Sequence, residues 1–164
     1  MAAAMALQKN NQTRVLHLFD TFDGMPPAGI EDINHLGVHA SVFLSQEVKE
    51  TGDVFSWCPL EDVRKNMAAT GYPQQLVRFV KGMVEDTIPS DAPETISILR
   101  LDTDWYASTK HELEHLYPRL SVGGVLIIDD YGHWGGARKA VDEYFKGSVQ
   151  LSEIDYTGMM LIKE

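Results

Sequence analysis

Cysteine, long apolar runs and basic residues are all scarce in this chain of 164 residues. Cys58 stands alone, which excludes an internal disulfide and leads us to expect a reducing, cytoplasmic setting. No apolar run approaches the ~20 residues needed to cross a bilayer. The opening Met1-Ala-Ala-Ala-Met-Ala-Leu7 lacks the basic flank and long apolar core of a secretory signal. Lys and Arg number 14 against 24 Asp and Glu, a formal charge of −10 with no basic stripe. Phosphate backbones and anionic membranes bind clustered Lys and Arg, so nucleic acid and membrane partners are not expected. What is present is a hydrophobic fraction of 44%, enough for a buried core, and a length that suits one domain over residues 1–164. No internal repeat or low-complexity tract interrupts it.

Taken in order, Met1 to Gln8 are helix formers that read as the tail of a helix, broken by Asn10-Asn11-Gln12. Arg14 to Phe19 is an expected strand that ends on Asp20. A carboxylate there can accept hydrogen bonds from ribose hydroxyls, or simply cap the turn at Asp23-Gly24. Pro26 to Cys58 is irregular, and loops of that length in compact domains are lids or disordered segments. Pro59 to Ala69 is an expected helix stopped by Gly71. Leu76 to Val80 is a short strand leading to Lys81-Gly82, where a glycine permits close approach of a backbone or a flat ligand. Ala137 to Phe145 carries a helical stripe, and Leu151 to Asp155 with Gly158 to Ile162 reads as an antiparallel hairpin about Tyr156-Thr157. The fold class is α/β, with a mostly parallel sheet.

The centre of the sequence is Ile96 to Tyr131. Two apolar runs, Ile96 to Leu101 and Gly123 to Ile128, flank one helix, the pattern of a βαβ unit with buried parallel strands. Asp102 follows the first strand and Asp129-Asp130 follow the second. Side chains at the carboxyl ends of such strands point into the ligand crevice, so these three acids are expected to converge. Crowded carboxylates repel unless a cation lies between them, and all-oxygen ligands favour Mg²⁺ or Ca²⁺ over zinc. The plain alternative is that they cap helices and turns.

His111-Glu112-Leu113-Glu114-His115 matches the zinc-protease signature H-E-x-x-H. At about 100° per residue, however, Leu113, Leu116, Tyr117 and Leu120 form one arc and the two histidines lie roughly opposite it, facing solvent. Pro118 interrupts the helix where such a site would continue. A dehalogenase-type reading of Asp102-Thr-Asp104 lacks the family's long insert before the final acidic pair, and a phosphoacceptor domain has its acids in the opposite order. His133 is a candidate site-lining residue.

Leu99-Arg-Leu-Asp-Thr-Asp-Trp-Tyr-Ala-Ser-Thr109, Leu116-Tyr-Pro-Arg-Leu120, Gly123-Gly-Val-Leu-Ile-Ile-Asp-Asp-Tyr-Gly132 and Ala137-Arg-Lys-Ala-Val-Asp142 together resemble macrocin O-methyltransferase and its relatives. Phe19 to Pro26 and Val80 to Pro89 match in the same order. The resemblance implies a Rossmann-like class I methyltransferase fold that uses S-adenosylmethionine and Mg²⁺ to methylate a hydroxyl of a sugar or another natural product. It implies that Asp102, Asp129 and Asp130 hold the metal, that Asp102 is general base, and that Asp20 meets the cofactor ribose. It also places Gly82 and Met83 beside the adenine, Asp102 near the methionine end, and Pro26 to Cys58 over the acceptor. Such enzymes begin with a strand and a Gly-rich turn, whereas this chain opens in the helix expected to follow them. The first strand is therefore expected to be missing, which leaves two strand edges open, pairing with each other, or pairing with a second copy in a homo-oligomer. Three functions stay open at this point: the methyltransferase, a truncated relative that binds no cofactor, and a metal-dependent hydrolase using the same acids.

Overall fold

A computed structural model describes residues 1–44 and 57–164. In chain order these form α1 (Ala2–Lys9), β1 (Leu16–Asp20), α2 (Ser41–Leu44), α3 (Leu60–Ala69), β2 (Val77–Lys81), α4 (Val84–Thr87), β3 (Ile96–Leu101), α5 (Tyr106–Leu116), β4 (Leu120–Ile128), α6 (Gly135–Phe145), β5 (Ser152–Glu153) and β6 (Met159–Ile162). Two compact units emerge, Met1–Met25 with Val48–Thr87, and Pro26–Glu47 with Ile88–Glu164. No helix among the described residues is long and apolar enough to cross a membrane.

In the first unit β1 and β2 run parallel, Leu16 opposite Val77 and Asp20 opposite Lys81. Ala4, Met67, Tyr72 and Val77 form the buried centre, with Leu7, Leu16, Leu18 and Val63 packed around it. Tyr72 is apolar in body and polar at its tip, so burial obliges its hydroxyl to find partners. It donates to the Arg14 carbonyl at 2.6 Å and accepts the Arg14 N–H at 2.9 Å, pinning the chain as it enters β1. Helix α3 starts directly after Pro59 and places Glu61 and Asp62 in its first turn, where carboxylates favour the positive end of the helix dipole.

The second unit holds a four-stranded sheet in the order β3-β4-β6-β5. The β3–β4 ladder is parallel, while β4–β6 and β5–β6 are antiparallel, so this sheet is mixed rather than mostly parallel. Period-two alternation decides the faces: Leu99, Leu101, Leu126 and Ile128 are buried, whereas Ile98 is exposed. Leu113 and Leu116 of α5, with Ala140, Val141 and Phe145 of α6, supply the covering layer. The Trp105 and Trp134 rings meet edge to face at 5.0 Å just before those helices begin.

Some boundaries differ from the expected ones. Strand β4 begins at Leu120, not Gly123, because the pairing slips between Ile96 opposite Leu120 and Ile98 opposite Val125. Gly123, at φ +77°, takes up the excess residues in a conformation that side chains disfavour. The first strand of the terminal hairpin shrinks to Ser152–Glu153. Among the described residues β1 pairs only with β2, and β3 only with β4, so each has one edge without a ladder partner.

The described part of the stretch expected to be irregular is so, with only isolated bridges and α2, yet it is tied down. Residues 45–56 lie outside the described set, but Pro26 to Leu44 belongs to the second unit and is held there by backbone groups and one buried acid. Asp32, 1% exposed, accepts the Gly29 N–H at 2.6 Å and the Tyr106 N–H at 2.8 Å. The second of these caps an otherwise unpartnered donor in the first turn of α5. Burial raises the Asp32 pKa, against the lowering by those two N–H groups. Ile33 accepts the Gly135 N–H, and His35 donates its own N–H to the His133 carbonyl, both at 2.8 Å. Because backbone atoms make these contacts, no side-chain periodicity announced them. A methyl group at Gly136 would overlap Asp32 Oδ1 and stand 2.8 Å from the Tyr106 nitrogen. Gly136→Ala is expected to destabilise the protein by about 1–3 kcal/mol in urea titration, without altering the helix content seen by far-ultraviolet circular dichroism.

Candidate active site

Parallel pairing sets Leu101 level with Ile128, and the Asp129 N–H extends the ladder by donating to the Leu101 carbonyl at 3.0 Å. The residues that follow both strands therefore leave the sheet at one point. Thr103 and Asp104 then make a tight turn, in which Trp105 N–H donates to the Thr103 carbonyl at 2.7 Å and Asp104 takes φ +65°. That left-handed conformation swings the Asp104 carboxylate back toward the strand ends. One oxygen from each of Asp102, Asp104 and Asp130 lies within 4.8 Å of the others, a spacing that suits a hard divalent cation bound by oxygen.

The trio differs in one member from the expected Asp102, Asp129 and Asp130. The Asp129 Oδ2 is engaged at 2.9 Å by Arg100, whose other terminal nitrogen holds Asp102 Oδ2 at 2.6 Å. Arg100 precedes Asp102 by two residues on the same strand, so both project from one face and the guanidinium can bridge the two acids. Neither the third place of Asp104 nor the bridge was anticipated. The D-x-D spacing and the i, i+2 placement of Arg100 are the signals that carry them.

Electrostatics match the crowding. Burial, followed by the neighbouring Asp129, pushes Asp102 up to about 7 even though Arg100 pulls the other way. Burial and the adjoining Asp130 push Asp104 up to about 9. Without a cation, Asp102 and Asp104 therefore keep their protons to a higher pH than an ordinary carboxylate does.

In the first unit Asp20 and Gly82 come together at the carboxyl ends of β1 and β2, the Gly82 N–H donating to the Asp20 carbonyl at 3.0 Å. Gly82 sits at φ +148°, and a Cβ there would lie 2.9 Å from Thr87 Cγ2, so the position requires glycine. Asp20 is exposed and its Oδ1 accepts the Phe22 N–H at 2.6 Å. Met83 follows directly and its carbonyl accepts two N–H groups of the next turn at 3.1 Å.

The H-E-x-x-H match does not assemble as a zinc site. The His111 and His115 rings meet at 4.4 Å with their planes tilted by 55°, and His111 Nε2 is bonded to the Ile88 carbonyl at 2.9 Å, so both are partly covered rather than free in solvent. Glu112 is buried on another face of α5 and accepts from Thr103. His133 Nδ1 meets the Tyr156 hydroxyl at 2.8 Å, and its N–H donates to the Asp130 carbonyl at 3.0 Å, next to the acids.

A profile of the macrocin O-methyltransferase (TylF) family matches residues 1–163. The chain belongs to that family. It is 40% identical over 143 residues to a tetracenomycin-C 4'-O-methyltransferase of Streptomyces olivaceus that acts on a dimethoxy-rhamnosyl derivative, covering 85% of this chain and 51% of that protein. It is 37% identical over 149 residues to mycinamicin III 3''-O-methyltransferase of Micromonospora griseorubida, covering 89% of this chain and 56% of that one. The solved structure of the O-methyltransferase NovP superposes with a TM-score of 0.79 at 30% identity, over 98% of this chain and 66% of NovP. The calicheamicin methyltransferase CalS11, at 20% identity and TM-score 0.65, shares the fold. The chain spans about half the length of the curated relatives it matches.

The raised carboxyl pKa values of Asp102 and Asp104 fix the sign of a pH effect. Folded values above the ordinary 3.8 mean that these groups favour folding fully below that value and lose their contribution as pH climbs through about 7 and then about 9. In EDTA, the melting temperature of this member of the TylF family is expected to fall across that range. Asp104→Asn is expected to flatten the fall, measured by differential scanning fluorimetry at stepped pH.

Proposed function

We propose that this chain works as an S-adenosylmethionine-dependent, Mg²⁺-assisted O-methyltransferase acting on a hydroxyl of a sugar or a sugar-bearing natural product. The observation that carries the reading is the acid cluster at the ends of β3 and β4 in a chain of this family. Two relatives are named as O-methyltransferases of a rhamnosyl-tetracenomycin and of mycinamicin III, which supports the acceptor class. In the first unit Asp20, Gly82 and Met83 are assigned to the nucleoside part of the cofactor. Asp20 offers a carboxylate to ribose hydroxyls, and Gly82 offers the bare backbone beside which a flat base can lie.

In the second unit Asp102 and Asp130 are assigned as cation ligands. They are common to the trio expected from the sequence and the trio the structure groups. Asp104 stands within reach as the third, whereas Asp129 joins only by leaving Arg100. When bound, S-adenosylmethionine supplies an electrophilic methyl group and the divalent cation lowers the pKa of the acceptor hydroxyl. The chain's own contribution is to hold and deprotonate. Arg100 fixes Asp102 through Oδ2, and the Asp102 carboxylate would accept the proton of the acceptor hydroxyl. The His133–Tyr156 pair, one turn from Asp130, offers an imidazole and a phenol for a sugar ring to lie against.

The competing reading is a relative that no longer binds cofactor. Isothermal titration with S-adenosylhomocysteine separates the two: micromolar binding is expected, and absence of heat at millimolar ligand would select the non-binding relative. Where binding is found, Asp102→Asn is expected to lower kcat by at least ~100-fold for loss of the base. In Mn²⁺ titrations, Asp104→Asn weakening the ion more than Asp129→Asn would make Asp104 the third ligand, and the reverse would restore Asp129.

A further inference from the structure

Under the acid cluster, α5 carries three buried polar side chains, Ser108, Thr109 and Glu112, at 4%, 2% and 5% exposure. A helix face turned toward a sheet is ordinarily apolar there, and burying a carboxylate costs enough that it must be answered by partners. All three residues converge on one neighbour. Thr103 donates its hydroxyl to Glu112 Oε2 at 2.8 Å and receives the Thr109 hydroxyl at 3.5 Å, while Ser108 Oγ shares its one proton between the Trp105 carbonyl at 3.2 Å and the Thr103 carbonyl at 3.4 Å. Since Thr103 has a single hydroxyl proton and gives it to Glu112, Thr109 is the donor in the second contact. Thr103 lies between Asp102 and Asp104, in the turn where Asp104 is held at φ +65°.

We infer that Glu112 is a positioning residue: through Thr103 it clamps the Asp102–Asp104 turn and thereby sets how tightly the carboxylates hold a divalent cation. The inference rests on the cation-holding role assigned to those acids above. The geometry favours it over simple packing. Ser108 and Glu112 are one helical turn apart and Thr109 lies beside them, so the stripe faces the turn over its whole width. Thr103 is gripped at side chain and main chain together, which fixes both the direction in which the turn leaves β3 and the peptide that orients Asp104. Partners of this kind, one step behind ligands, typically change metal affinity by about 10–100-fold when lost. The H-E-x-x-H letters thus have a physical use unrelated to zinc, because only the glutamate reaches the site.

The test is Mn²⁺ binding followed by the electron paramagnetic resonance signal of the free ion, with thermal melts as a control for folding. Thr103→Val keeps the shape and removes the hydroxyl, and Glu112→Leu removes the acceptor. Each is expected to weaken Mn²⁺ about tenfold or more, and the double variant to do no worse than the stronger single one, since both cut the same link. Glu112→Gln, whose amide oxygen can still accept the Thr103 hydroxyl, is expected to recover most of the affinity. Wild-type binding with unchanged affinity in Thr103→Val overturns this inference alone. Absence of Mn²⁺ binding in the wild-type protein overturns both this inference and the cation-holding role.

Discussion

Leu101 and Ile128 stand level in a parallel ladder, and that register is the constraint from which the site follows. Parallel strands release their chains at the same edge, so acids far apart in sequence arrive together without any direct attraction between them. Indeed they repel. The arrangement persists because Arg100 spans two of the acids and because Asp102 and Asp104 hold protons well above the usual carboxylate range. The divalent cation proposed for this site would bind by displacing those protons.

Much of this could be read before any coordinates. The strands from Leu16, Val77, Ile96 and Met159, and the helices after Pro59 and Gly135, were all legible because each is a short apolar run or a helical segment bounded by turn residues. The acids Asp102, Asp129 and Asp130 were legible because they stand where strands stop. What escaped were features decided by backbone direction or by distant partners. Asp104 enters through a left-handed residue, which no hydrophobic pattern encodes. Arg100 looks like any exposed strand residue until the neighbouring strand brings Asp129 to it. The bulge at Gly123 was not read, since the strand was expected to start there and the slip depends on how β4 meets Ile96.

The H-E-x-x-H stretch shows the limits of a motif taken as letters. Helical geometry correctly set Leu113 and Leu116 inside, but the histidines lean on each other at a tilt and are partly covered, and the glutamate points inward to Thr103. Three-dimensional context reassigns each letter: two become surface imidazoles on a helix, and one becomes part of a polar layer beneath the carboxylates.

Asp32 closes its own loop as well as docking it. Its side chain takes the Gly29 N–H, its carbonyl takes the Ala40 N–H, and its other carboxylate oxygen reaches Tyr106. Between these footings Ile30 and Leu36 stand 82% and 74% exposed, carrying none of the load. Residues at such a crest can be exchanged freely while the foundation stays put. This clasp gives the chain a place where its outer surface can change, one residue at a time, without disturbing the helices beneath.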